Sequence, residues 1–149
     1  MGTVISIHRV TRRDAPAEGL EAATFSANFG LENDWRSRRG RGRQITLIEA
    51  EALNAAAATL GFPAVPPGAS RRQVVVRDIS LNDTVGKRLR VGPLLVAVEE
   101  RCDPCGNMEV KIGPGAQVAL ANRGGVCGRI IEGGVLRPGD PVNVDTAES

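Results

Sequence analysis

A chain of 149 residues, 42% hydrophobic and 24% charged, has the size and balance of one soluble domain with a self-sufficient core. No apolar run approaches the roughly 20 residues that span a bilayer, so no membrane role is expected. Net charge is +2, yet Arg36, Arg38, Arg39, Arg41 and Arg43 carry five positive charges, and everything outside that stretch sums to −3. The patch is therefore local. With no Tyr, one Trp and three Phe, the chain lacks the stacking platforms that accompany such a patch in nucleic-acid binders. A solvated loop or a site for an anionic small-molecule ligand is the better reading, and nucleic acid is disfavoured.

The N-terminus enters apolar/polar alternation directly, without a basic leader and long hydrophobic block, so residues 4–10 read as a first strand and not a signal peptide. Residues 22–27, 44–48, 73–77, 94–99, 126–131 and 142–144 also have strand length and strand chemistry. Punctuation such as Pro66-Pro67-Gly68, Asn82-Asp83, Gly92-Pro93, Gly113-Pro114-Gly115 and Gly133-Gly134 separates them. The pattern predicts a mainly β fold over residues 1–149, a closed or partly closed β-barrel with a few short helices. The strongest helix runs over 50–60, with Leu53, Ala57 and Leu60 on one face, acids at its start and Gly61 after its end. Short helices are predicted from Pro104 and over 116–121, and a frayed tail over 145–149.

All three cysteines, Cys102, Cys105 and Cys127, fall in one late segment. An odd number in a domain of this size suits a reducing, cytoplasmic compartment. Cys102-x-x-Cys105 alone is a weak signal. A zinc site would need Cys127 and the lone His8 at irregular spacing, and a thioredoxin-type pair normally follows a strand in a βαβ setting, for which there is little parallel periodicity. Cys127, between Val126 and Gly128, reads as a buried structural cysteine, and His8 as a half-buried structural residue. Cys105 falls in the first turn of the helix opened by Pro104, where backbone N–H groups and the helix dipole stabilise a thiolate. Arg101 favours that ionisation and Asp103 opposes it. Cys102 is a resolving partner, a neighbour, or a side chain pointing into the core.

The series Arg43-Gln44-Ile45-Thr46-Leu47-Ile48, Arg71-Arg72-Gln73-Val74-Val75-Val76, Gly86-Lys87-Arg88-Leu89-Arg90-Val91-Gly92, Cys102-x-x-Cys105, Gly124-Gly125, Gly133-Gly134 and Pro138-Gly139-Asp140 resembles the MOSC domain. That domain ends the molybdenum cofactor sulfurases, occurs in amidoxime-reducing proteins and stands alone in small bacterial proteins. The resemblance implies a β-barrel-like fold and handling of sulfur or of the molybdenum cofactor through Cys105, with Cys102 beside it. It departs from the pattern at Asn33-Asp34-Trp35-Arg36, where relatives often carry Gly-Asp-x-His. Asn33 can supply the left-handed backbone of the glycine, whereas Arg36 replaces the histidine and favours anion binding.

These residues lead to the expectation of a sulfur-carrier or molybdenum-cofactor-binding domain in which Cys105 accepts a persulfide or ligates molybdenum. Arg36, Arg39 and Arg43 would hold the pterin phosphate, with Asn82 or the Arg123-Gly124-Gly125 turn closing the pocket. Pyridoxal phosphate is expected only on a partner enzyme of cysteine desulfurase type, because no lysine-bearing sulfurase fold is present. The alternatives are a molybdenum-dependent reductase of N-hydroxylated compounds with an external redox partner, and a non-catalytic binding module.

Overall fold

The computed structural model describes residues 1–37, 39–40, 42–66, 68–103 and 111–145. The elements are β1 (Gly2–Arg9), β2 (Glu18–Leu20), β3 (Ala23–Ser26), β4 (Gly30–Leu31), β5 (Ile45–Glu49), α1 (Ala50–Leu60) and β6 (Val74–Arg77). A 3-10 turn (Leu81–Thr84) follows, then β7 (Arg88–Val91), β8 (Leu94–Arg101), α2 (Ala116–Ala119), β9 (Val126–Glu132), β10 (Gly134–Leu136) and β11 (Pro141–Val144). The fold is mainly β, as the alternating apolar stretches predict.

Seven strands close into a barrel in the order β11, β7, β8, β9, β5, β6 and β1, because β1 also pairs with β11, and β2 extends the sheet from β1. A second small sheet runs β10, β3, β4. Closure removes the exposed barrel edges that would otherwise template aggregation. Every pairing around the barrel is antiparallel except β5 with β6, where Leu47 stands beside Val74 and Ile48 beside Val75. Parallel neighbours need a long crossover, and α1 supplies it.

Two apolar clusters hold these layers. Inside the barrel, Ile7, Phe25, Leu31, Ile45, Leu47, Leu89, Leu94, Val96 and Leu136 are almost wholly removed from solvent. Each such side chain contributes about 1.5–3 kcal/mol of burial before entropy is charged against it. Outside, α1 presents Ala52 and Ala56 to Ile48 and Val75, and Ile112, Ala116 and Leu120 complete that layer. Alanines on the buried face let helix and sheet approach closely. Gly61 ends α1 in the left-handed conformation (φ 78°), and its N–H reaches the carbonyls of Ala57 and Ala58, as glycine at that position predicts.

The helix expected over 116–121 is present as α2, ending at Ala119. The one expected from Pro104 begins outside the described residues, as do Cys105, Arg38, Arg41 and most of the tail expected to fray. Among the described residues, no helix is long and apolar enough to cross a membrane.

Candidate functional site

Cys102 and Cys127 meet at the end of the β8–β9 ladder. Glu100 pairs with Cys127 and Arg101 with Val126, and the Cys102 N–H donates to the Gly125 carbonyl at 2.8 Å. Cys102 is therefore opposite Gly125, two residues from Cys127 on the adjacent strand, and period-two alternation puts both thiols on one face. Both are free and buried, at 2% and 1% exposure. Gly125 (φ 96°) is required here, because a Cβ at that position would collide with the Leu47 carbonyl.

The two thiols hydrogen-bond to each other, with unequal consequences. Cys102 is lowered to about 7, first by the hydrogen bond from Cys127, against burial, and then by the charges of Arg72 and Arg43. Cys127 is pushed above the ordinary thiol range, first because its proton is held by Cys102 and then by burial. Of the two, Cys102 is the thiol whose ionisation the surroundings favour. The single Cys127 proton has a second acceptor in Glu100 Oε1, at 3.7 Å, and Glu100 is also approached by Arg43 Nε at 3.6 Å.

Arg72 fastens the segment from below. This residue is 7% exposed, and its Nε donates to the Gly124 carbonyl at 2.7 Å while Nη2 donates to the Asp103 carbonyl at 2.9 Å. Charge-assisted bonds of this kind are shorter and stronger than neutral ones. They tie the segment before β6 to the loops after β8 and before β9. Arg72 stands in the recognised Arg71-Arg72-Gln73 stretch but had no assigned role. Its signal was a charge directly before the wholly apolar run Val74-Val75-Val76, where a polar side chain must sit at the core's entrance. Gln73 does similar local service, since Thr46 N–H donates to its Oε1 at 3.1 Å and its own N–H donates to Thr46 Oγ1 at 2.9 Å.

The expected ligand-binding residues divide between two regions. Arg123 and Asn82 lie by the segment that leads into β9: Arg123 Nη2 pairs with Glu49 Oε1 at 3.5 Å, and Asn82 Nδ2 donates to the Asn122 carbonyl at 2.9 Å. Gly124 and Gly125 are there too, with their carbonyls accepting from Arg72 and Cys102. Arg43 lies close enough to bear electrostatically on both thiols and keeps a side chain 60% exposed. Arg39 is exposed in the turn with Gly40.

Arg36 is placed differently. Nε and Nη2 grip both oxygens of Asp34 at 2.9 and 2.8 Å, and Nη1 donates to the Arg71 carbonyl at 2.7 Å. Asp34 also accepts from the Arg36 and Val10 backbone N–H groups at 2.9 and 3.2 Å. Burial would raise Asp34, but the Arg36 hydrogen bond and charge, with the backbone donors, overcome it and lower its pKa. Asn33 has φ 65°, the left-handed backbone expected of it. An open groove of about 570 Å³ beside this knot is lined by Arg9, Thr11, Asn33, Asp34 and Trp35, without a thiol. His8 is buried at 5%, its Nε2 2.9 Å from Ser6 Oγ, and burial lowers its pKa.

The MOSC domain model matches residues 34–143, from the turn that carries Asp34 and Arg36 to β11. The chain belongs to the MOSC domain family. This membership carries a general role in handling sulfur or the molybdenum cofactor. Solved MOSC-fold neighbours span nearly all of the chain. The YuaD protein of Bacillus subtilis superposes with a TM-score of 0.79 at 16% identity, covering 97% of this chain and 96% of its own. YiiM of Geobacillus stearothermophilus gives 0.76 at 17% identity, over 97% of this chain and 75% of that one. For YiiM of Escherichia coli the values are 0.70 and 16%, over 97% and 70%. At these identities the likeness shows the fold. A comparison with curated proteins returns no match.

Among the described residues, no group of three or more His, Cys, Asp and Glu side chains could hold a bare metal ion. Pterin-bound molybdenum makes a smaller demand, a single soft protein thiolate with cations for its phosphate. Of the cations expected to meet that phosphate, Arg43 bears electrostatically on both described thiols and keeps an exposed side chain.

Proposed function

We propose that this MOSC domain is a sulfur carrier or molybdenum-cofactor-binding domain whose working thiols are those of the Cys102-x-x-Cys105 segment. The observation that carries the reading is Cys102, held near half-ionisation at neutral pH by Cys127 and Arg72 at the start of that segment. A thiolate at pH 7 attacks the terminal sulfur of a donor persulfide, and a thiol with a pKa near ambient combines ionised fraction with nucleophilicity. Cys102 is the buried end of the pair, and Cys105, three residues on, is the intended exchange point with a cysteine desulfurase-type donor.

If the molybdenum cofactor binds, Cys105 supplies the thiolate, and Arg39, Arg43 and Arg123 meet the pterin phosphate. Arg36 braces the fold through Asp34 and Arg71. The bound group supplies two-electron oxygen-atom chemistry, while Arg72 and Cys127 hold the neighbouring thiol ionised.

The test is sulfane-sulfur loading of the full chain by a cysteine desulfurase supplied with cysteine, read by intact-protein mass and peptide mapping. One added sulfur on the peptide containing Cys102 and Cys105, absent from the Cys102→Ser/Cys105→Ser double variant, is expected. A chain that gains no sulfur and, after exposure to molybdenum cofactor, retains no molybdenum would be a non-catalytic module.

A further inference from the structure

Cys127 is buried, as expected of a structural cysteine, and the fold also sets it on the same face as Cys102 across the β8–β9 ladder. The nearness of the two thiols is the leading cause of the lowered Cys102 pKa. A carboxylate acceptor, Glu100 Oε1, stands 3.7 Å from its sulfur. The Cys102 segment is fixed on the opposite side by the Arg72 bonds to the Asp103 and Gly124 carbonyls. Two free thiols held in contact, one ionised and one beside a base, form a dithiol poised for thiol–disulfide exchange.

We infer that Cys102 and Cys127 are a redox-active dithiol that reduces small-molecule disulfides of the glutathione type, with Cys102 as the attacking and Cys127 as the resolving sulfur. In the first step the Cys102 thiolate attacks one sulfur of the disulfide. A mixed disulfide forms, the external S–S bond breaks, and one thiolate leaves. In the second step Cys127 passes its proton to Glu100 and attacks Cys102 Sγ. The Cys102–Cys127 bond forms, the mixed disulfide breaks, and the departing second thiolate takes the proton. From the Cys102 thiolate the protein loses two electrons and the Cys127 proton, and the external disulfide becomes one thiol and one thiolate, the latter taking its proton from water. Neither a sulfur donor nor molybdenum enters this exchange, so it stands apart from the carrier reading.

The Cys102–Cys127 pairing asks less of exposure than a carrier thiol does, and Cys102 is 2% exposed. A carrier thiol gains from exposure, whereas a resolving pair needs only a small reagent to reach one sulfur and a partner close enough to finish before the adduct is lost. It also separates the roles of the three cysteines: Cys105 is dispensable for the exchange.

The experiment incubates the folded full chain with oxidised glutathione and maps disulfides under non-reducing conditions. The native chain and Cys105→Ser are expected to yield a Cys102–Cys127 linked peptide without retained glutathione. In the Cys105→Ser variant those two thiols are the only pair available, so the result does not depend on disturbing either of them. Cys127→Ser is expected to stop at the glutathione adduct on Cys102, and Glu100→Gln to accumulate the same adduct before slower resolution. A Cys102–Cys105 linkage that forms in native protein and persists in Cys127→Ser would overturn the inference, as would an unlinked, unmodified Cys105→Ser chain. The carrier reading fails on a different observable, the absence of added sulfur, so the two failures are distinguishable.

Discussion

Arg36 and Arg72 sit on either side of Arg71, the first bonded to its carbonyl and the second next to it in sequence, yet they do opposite work. Arg36 is closed on a buried carboxylate, and its charge is cancelled by Asp34 at 2.8 Å. Arg72 donates to the main-chain carbonyls of Gly124 and Asp103, and its charge lowers Cys102. The pair teaches that a guanidinium's function follows from what stands within its reach, a carboxylate in one case and a thiol in the other. One arginine stabilises the fold around Asn33 and Val10, and the other biases a thiol.

The largest effect that would break this comparison is at the closed knot. We predict that Asp34→Ala lowers unfolding free energy by about 3 kcal/mol, because it strands a partly buried guanidinium and removes the acceptor of the Val10 and Arg36 N–H groups. Denaturant midpoints of the two chains measure it, and the Cys102 titration should not move.

Arg72→Met should cost about 2 kcal/mol from the loss of charged hydrogen bonds to two carbonyls. Unlike the change at Asp34, it should also raise Cys102 above its value of about 7, seen as a shift of the thiolate ultraviolet absorbance to higher pH. An unshifted titration would mean the two arginines are both structural. Cys127→Ala sharpens the same point from the other side. It removes the largest cause of the Cys102 shift, so the titration midpoint should rise again, with a smaller stability loss measurable in the same denaturation series.

The two regions also differ in their pH windows. The Asp34 pKa is lowered in the fold, so its contribution is present above the unfolded carboxyl value of about 3.9 and is lost as pH falls through the lower folded value. Asp34→Asn should therefore show a shallower acid loss of stability than the native chain. Cys102 is lowered from 9.0 to about 7, so its contribution is complete above the unfolded thiol value and is lost as pH falls through about 7. The raised Cys127 has the reverse sign and acts only above its ordinary value. Stability should rise modestly between these two thiol values in native protein and stay flat in Cys102→Ser, by chemical denaturation at each pH.

Local chemistry made much of the architecture readable. The alternating strands need only period-two patterning, α1 needs its apolar face and a glycine at its end, and Asn33 tolerates the left-handed turn because its short polar side chain allows it. The short strands β2 and β10 carried no such signal. Each is three residues long and is a strand only because β1 or β3 offers a ladder. The crossover β5–α1–β6 was legible as strand, helix and strand, but its parallel pairing was not read, since most other punctuation spoke for antiparallel turns.

The sequence by itself determined a mainly β MOSC chain, the family's ordered motifs and the Cys102-x-x-Cys105 segment in which Cys105 was expected to act, because these depend on residue type and near neighbours. Only the tertiary structure decided that Arg36 is spent on Asp34, that Arg72 reaches Gly124 and Asp103, and that Cys127 meets Cys102. Those contacts join segments far apart in the chain, and no local pattern encodes which side chains a closed barrel will bring face to face.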